Sequence, residues 1–101
     1  MNHITPTELK EKLRSGHPIQ LIDVRESSEH EEYNIGGELI PLANIFDQKD
    51  SIHKDIPVVF YCKMGIRSQI AIQRLQEKYG FTNLFNLRGG MERWKREHTG
   101  Y

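Results

Sequence analysis

The chain has 101 residues, 14 Lys plus Arg against 14 Asp plus Glu, and one cysteine. That length allows one domain, 1–101, with one modest core. Zero net charge gives no reason to expect nucleic acid or an anionic membrane as partner, and one cysteine excludes an intrachain disulfide and any Cys-x-x-Cys site.

In chain order, "TPTELKEKLRSG" reads as a short helix. Thr5 can cap it, Pro6 suits the first helical position, and Glu8 completes a capping box three residues after Thr5. Leu9 and Leu13 fall at i, i+4 on its inner face, and Gly16 stops it. "IQLIDV" (19–24) predicts a short strand. "ESSEHEEY" is polar and predicts a helical turn begun by Ser27 or Ser28. "GELIPLANI" predicts a short strand ending at Pro41 and then a loop. "IPVVFYC" (56–62) is almost continuously apolar, the pattern of a strand buried on both faces at the centre of a parallel sheet. "RSQIAIQRLQEKYG" sets Ile70, Ala71, Leu75 and Tyr79 at helical spacing, with Gly80 as the stop. "LFNL" (84–87) predicts a further strand, and "GGMERWKREH" a C-terminal helix with Met91 and Trp94 three apart in its core face. Strands alternating with helices predict an α/β architecture with a mainly parallel sheet. Ligands of such sheets collect beyond the carboxyl ends of the strands, and Cys62 ends one.

Charge is unevenly spread. Residues 26–48 hold six acids and no Lys or Arg, whereas 56–76 hold Lys63, Arg67 and Arg74 and no acid. The acidic stretch reads either as a solvated face or as a dock for a basic partner. The basic stretch surrounds Cys62. A lone cysteine is more often inert core than nucleophile. Singly, Lys63 and Arg67 read as surface charges and Gly65 as a plain turn. Together, at a strand end, they read as an anion cradle. Gly65 lets successive N–H groups curl inward. A helix beginning near Arg67 or Ser68 points its free N–H groups at the loop. Lys63 and Arg67 flank it, and Ser68 can cap the helix or donate to a bound anion. A thiol of pKa about 8.5 needs such surroundings to react at neutral pH.

"CKMGIRS" resembles the active-site loop of rhodanese-like domains, Cys-x-x-Gly-x-Arg-Ser. "LIDVRE" (21–26) is similar to that family's early strand with Asp-Val-Arg. "HEEYNIGGELIPL" (30–42) resembles its next segment, and "NLRGGMERWKRE" (86–97) its closing Leu-x-Gly-Gly-x-x-x-Trp element. The four motifs come in the family's order over most of the chain. One departure is visible: the family often has Gly-His-Ile-x-Gly-Ala where this chain has "IGGELIPL". That form resembles rhodanese domains joined to adenylating enzymes.

The resemblance implies a rhodanese-like α/β fold, with a central, mainly parallel sheet of about five short strands and helices on both faces. It also implies a sulfurtransferase. Cys62 would be the catalytic nucleophile and would carry a persulfide. Lys63, Met64, Gly65, Ile66, Arg67 and Ser68 would bind the substrate, and Asp23 and Arg25 would support the loops beside the site. The expected donor is a small anion such as thiosulfate, and the expected acceptor is cyanide, an external thiol or a sulfur carrier protein, since the chain has no second cysteine to resolve the persulfide. Two alternatives stay open: a non-catalytic binding module, and a phosphatase or arsenate reductase. The phosphatase loop is Cys-x5-Arg, however, and here Arg67 follows Cys62 after only four residues. The five histidines show no His-x-x-x-His spacing, so no metal is expected, and no organic cofactor either. Apolar runs fall far short of the roughly 20 residues of a membrane helix, and "MNHITPTELKEKL" lacks a signal peptide's apolar centre. A cytoplasmic location without membrane contact is expected.

Overall fold

β4 (Val58–Tyr61) runs through the middle of the sheet, and all four of its residues are fully buried. The computed structural model describes residues 1–98. Around β4 it places four further strands: β1 (Asn2–Ile4), β2 (Gln20–Asp23), β3 (Glu38–Leu39) and β5 (Leu84–Leu87). The order is β1-β5-β4-β2-β3, and every pair is parallel. The helices are α1 (Pro6–Arg14), α2 (Ser27–Glu32), α3 (Ile66–Tyr79) and α4 (Gly90–His98), with 3-10 turns at Leu42–Asn44 and Lys49–Ser51.

The apolar run of β4 is divided between two cores. Val58 and Phe60 face one side, with Ala71, Ile72 and Leu75 of α3. Val59 and Tyr61 face the other, with Leu9 of α1 and Met91 and Trp94 of α4. Adjacent strand residues point to opposite faces, so each core receives alternate side chains. Each fully buried Val or Phe contributes roughly 1.5–3 kcal/mol. Because all strands are parallel, the carboxyl ends of β2, β4 and β5 meet at one edge, with Asp23 opposite Tyr61 in register.

Several local expectations change. α1 has the predicted capping box, with the Thr5 N–H donating to Glu8 Oε1 at 2.9 Å and the Glu8 N–H to Thr5 Oγ1 at 3.1 Å. Leu13 is not core, however: it is 39 % exposed, while Leu9 is fully buried. It shares the stripe of Leu9 but lies in the last turn, beyond the buried cluster. α2 is begun by Glu26, not by Ser27 or Ser28. Its backbone is extended there, and the Glu29 carboxylate accepts the Glu26 N–H at 3.0 Å. α3 starts at Ile66 with Gly65 as its cap, so Ser68 is an interior residue and not the cap. The predicted strands 19–24 and 56–62 are trimmed to their central four residues. β1 has no counterpart in the sequence reading.

Candidate active site

β4 carries the chain to Cys62, and the segment before α3 is only Cys62–Gly65. Two carbonyls of this segment are held from below. The Met91 N–H donates to the Cys62 carbonyl at 2.8 Å and the Glu92 N–H to the Lys63 carbonyl at 3.0 Å. Both donors lie in the first turn of α4, where N–H groups have no partner within the helix. The approach is close enough to require glycine at 90. A Cβ there would lie 2.5 Å from the Cys62 carbonyl oxygen.

Gly65 (φ +93) turns the chain back on itself. Its N–H then donates to Cys62 Sγ at 3.1 Å, and the Ser68 N–H donates to the same sulfur at 3.4 Å. Ser68 Oγ is also 3.4 Å from Sγ. The sulfur thus lies in a nest of donors at the mouth of a helix, a setting suited to a bound anion. Cys62 itself is 1 % exposed. Above it opens a cavity of about 270 Å³, lined by Cys62, Lys63, Met64, Ile66 and Arg67.

The buried side of the nest continues away from the sulfur. The Ser68 hydroxyl donates to Asn86 Oδ1, and Asn86 Nδ2 lies 3.2 Å from His3 Nδ1. His3 and Asn86 are register partners on β1 and β5. Burial, then Arg88 and the N-terminal amino group, push the His3 imidazole below its usual pKa. A neutral ring can accept the Asn86 amide proton at Nδ1.

Lys63 and Arg67 flank the loop, as the spacing predicts, but they differ. Lys63 is exposed. Arg67 is clamped to Glu29 of α2, through Nη1–Oε1 at 2.8 Å and Nη2–Oε2 at 2.9 Å. The Arg67 hydrogen bonds are the main cause that holds the Glu29 carboxyl down at about 2. The acidic stretch therefore has a basic partner within the same chain. Met64 and Ile66 are 56 % and 63 % exposed, although both are apolar.

Asp23 and Arg25 form a buried pair at the end of β2. Arg25 Nε donates to Asp23 Oδ1 at 2.9 Å, and Nη2 donates to Oδ2 at 2.8 Å and to the Tyr33 carbonyl at 2.6 Å. His30 Nδ1 lies 2.8 Å from Asp23 Oδ2. The Tyr61 hydroxyl donates to the Gly36 carbonyl at 2.9 Å, and burial pushes its phenol well above the usual value. Asp23 and Arg25 thus brace the segment between α2 and β3, and the residues nearest the sulfur come from 62–68. A second cavity, of about 230 Å³, lies between them, with Arg25, Glu29, Lys63 and Lys95 on its wall.

The sequence reading missed Glu29, His30, Asn86, His3 and the α4 amides. Glu29 stood in the acidic stretch with no sign of its partner. Asn86 is a polar residue inside an otherwise apolar strand, and that is a signal that could have been read.

The rhodanese-like domain family matches residues 5–97. The chain is 42 % identical over 93 residues to the uncharacterized protein YqhL of Bacillus subtilis, covering 90 % of this chain and 73 % of that one. It is 34 % identical over 99 residues to the thiosulfate sulfurtransferase GlpE of Coxiella burnetii, covering 97 % and 88 %. Among solved structures, a rhodanese-like domain protein from Staphylococcus aureus superposes with a TM-score of 0.84 at 36 % identity, covering 93 % and 91 %. With this fold, this loop and these relatives, the chain belongs to the rhodanese-like family of sulfurtransferases.

Proposed function

We propose that the protein transfers a sulfane sulfur through a persulfide on Cys62. The Cys62 thiolate attacks the outer sulfur of a donor such as thiosulfate. The new S–S bond forms as the donor's S–S bond breaks, and sulfite leaves with the bonding pair. The terminal persulfide sulfur then passes to an external thiol, a sulfur carrier protein or cyanide, which restores the Cys62 thiolate. Substrate contacts fall to Lys63, Met64, Gly65, Ile66, Arg67 and Ser68, while Asp23 and Arg25 hold the neighbouring loop. No cofactor is needed for this chemistry. The lone cysteine fits a reducing, cytoplasmic setting, and among the described residues no helix is long and apolar enough to cross a membrane.

The observation that carries this reading is the pair of N–H groups, from Gly65 and Ser68, aimed at Cys62 Sγ. Preorganised donors of this kind stabilise negative charge as it develops. The test is an intact mass after incubation with thiosulfate. One added sulfur atom is expected, removable by cyanide and absent in Cys62→Ser. No adduct with thiosulfate or any other sulfane donor would overturn the catalytic reading and leave a binding module.

A further inference from the structure

Glu29 has no place in the sulfur-transfer scheme, yet it lies on the guanidinium that lines the mouth of the cavity. Both of its oxygens take N–H groups of Arg67, the bidentate arrangement that an incoming oxyanion would otherwise use. The contact is built and not incidental. α2 brings Glu29 into place, and Oε1 is fixed a second time by the Glu26 N–H at 3.0 Å. The carboxyl stays ionised down to about pH 2. The charged side chains that share its cavity are Arg25, Glu32, Lys63, Glu92 and Lys95, and Arg67 of the cysteine segment holds it directly. The cavity above Cys62 is lined besides by Lys63 and by two apolar side chains, Met64 56 % and Ile66 63 % exposed.

We propose that Glu29 is a specificity-determining residue. By occupying the Arg67 fork beside an apolar rim, it turns the site away from inorganic dianionic donors and toward sulfane donors of lower charge that carry an organic group. The inference rests on the sulfurtransferase reading and adds the donor class to it. A dianion entering the mouth meets Lys63 and an Arg67 whose charge is already paired with Glu29, and that carboxylate repels it. A monoanion with an alkyl group loses less to that repulsion, and its carbon gains contact with Met64 and Ile66.

Two donors separate the terms. Thiosulfate and methanethiosulfonate share a tetrahedral sulfur centre and an outer sulfur, but a methyl group replaces one oxygen and removes one charge. In both reactions the Cys62 thiolate takes the outer sulfur, and sulfite or methanesulfinate leaves with the electron pair of the broken bond. The rate of persulfide formation is followed by mass for the wild type, Glu29→Gln and Glu29→Asp. Wild type should prefer methanethiosulfonate by about tenfold in kcat/KM, and Glu29→Gln should bring that ratio close to one, as removal of one unit charge at contact distance implies. Glu29→Asp, which keeps the charge, should retain the wild-type preference. A wild-type preference for thiosulfate, or a ratio that Glu29→Gln leaves unchanged, overturns the proposal while sulfur transfer stands. If neither of these donors nor any other sulfane donor loads wild-type Cys62, sulfur transfer falls and the proposal with it.

Discussion

Gly90 and Cys62 are 28 positions apart in sequence, yet a Cβ on Gly90 would stand 2.5 Å from the Cys62 carbonyl oxygen and 2.6 Å from Lys63 backbone atoms. The amides of α4 reach the cysteine segment only because of this approach. The nest is therefore shaped from both sides: Gly65 and Ser68, at the cap and first turn of α3, aim N–H groups at the sulfur, and α4 holds the carbonyls behind it.

Gly90→Ala follows directly. At φ +59 the new Cβ is strained by its own backbone and blocked by two carbonyls that cannot rotate away. A non-glycine residue in this region costs about 1–2 kcal/mol before any clash, so a loss above ~2 kcal/mol is expected in urea denaturation. Persulfide formation should slow in parallel, since the Met91 and Glu92 hydrogen bonds must lengthen. Unchanged stability would mean that α4 shifts freely.

The Asp23–Arg25 pair separates support from substrate contact. Asp23 is fully buried and Arg25 is 5 % exposed. Removing one member of a buried pair strands the other and typically costs about 3–5 kcal/mol. Asp23→Ala should therefore lower the denaturation midpoint strongly, and the Asp23→Ala/Arg25→Met double variant should be less destabilised than the two single losses added together. A stable Asp23→Ala protein with impaired sulfur loading would instead place Asp23 in direct contact with substrate.

Much of this was legible in sequence, for physical reasons. β4 announced itself because both of its faces are buried. α1 announced its start because its cap is local, with Thr5 and Glu8 three residues apart. β1 was silent: "NHI" has too few residues for a period, and it is a strand only because β5 offers it a free edge. The same limit applies at the site. Cys62, Gly65 and Ser68 lie within one loop and helix start, so their spacing is informative. The Glu29–Arg67 clamp spans 38 positions and His3–Asn86 spans 83, and no local pattern can report such pairings.

Glu29 also gives a dependence on pH. Its carboxyl is held at about 2 in the folded protein, against a usual 4.5. A carboxyl depressed by folding stabilises fully above the unfolded value and loses that contribution as pH falls from about 4.5 toward 2. Both partners are about one-third exposed, so solvent screening keeps the effect near that of a surface pair, ~1 kcal/mol or less. Thermal melts from pH 6 to pH 2.5 should fall more steeply for the wild type than for Glu29→Gln. Parallel curves would show that the clamp contributes nothing.

Ser68→Ala removes the one donor that Asn86 Oδ1 has among the described residues. Leaving a buried acceptor unpaired costs about 1–3 kcal/mol, and a melting temperature lowered accordingly is expected. Ser68→Thr keeps the hydroxyl and should recover part of the loss if the buried site admits a methyl group. Equal losses in both variants would assign the effect to packing.

The sheet that carries all this ends abruptly on both sides. β1 is three residues long and β3 only two. Unpaired strand edges are templates on which further chains can add, and edges this short offer few backbone groups to such an intruder. The longer strands β2, β4 and β5 each have neighbours on both sides. Protection against edge-to-edge aggregation thus rests partly on Asn2–Ile4. Disturbing those three residues would uncover β5, an apolar strand with an open ladder, and would create a sticky margin that the folded protein lacks.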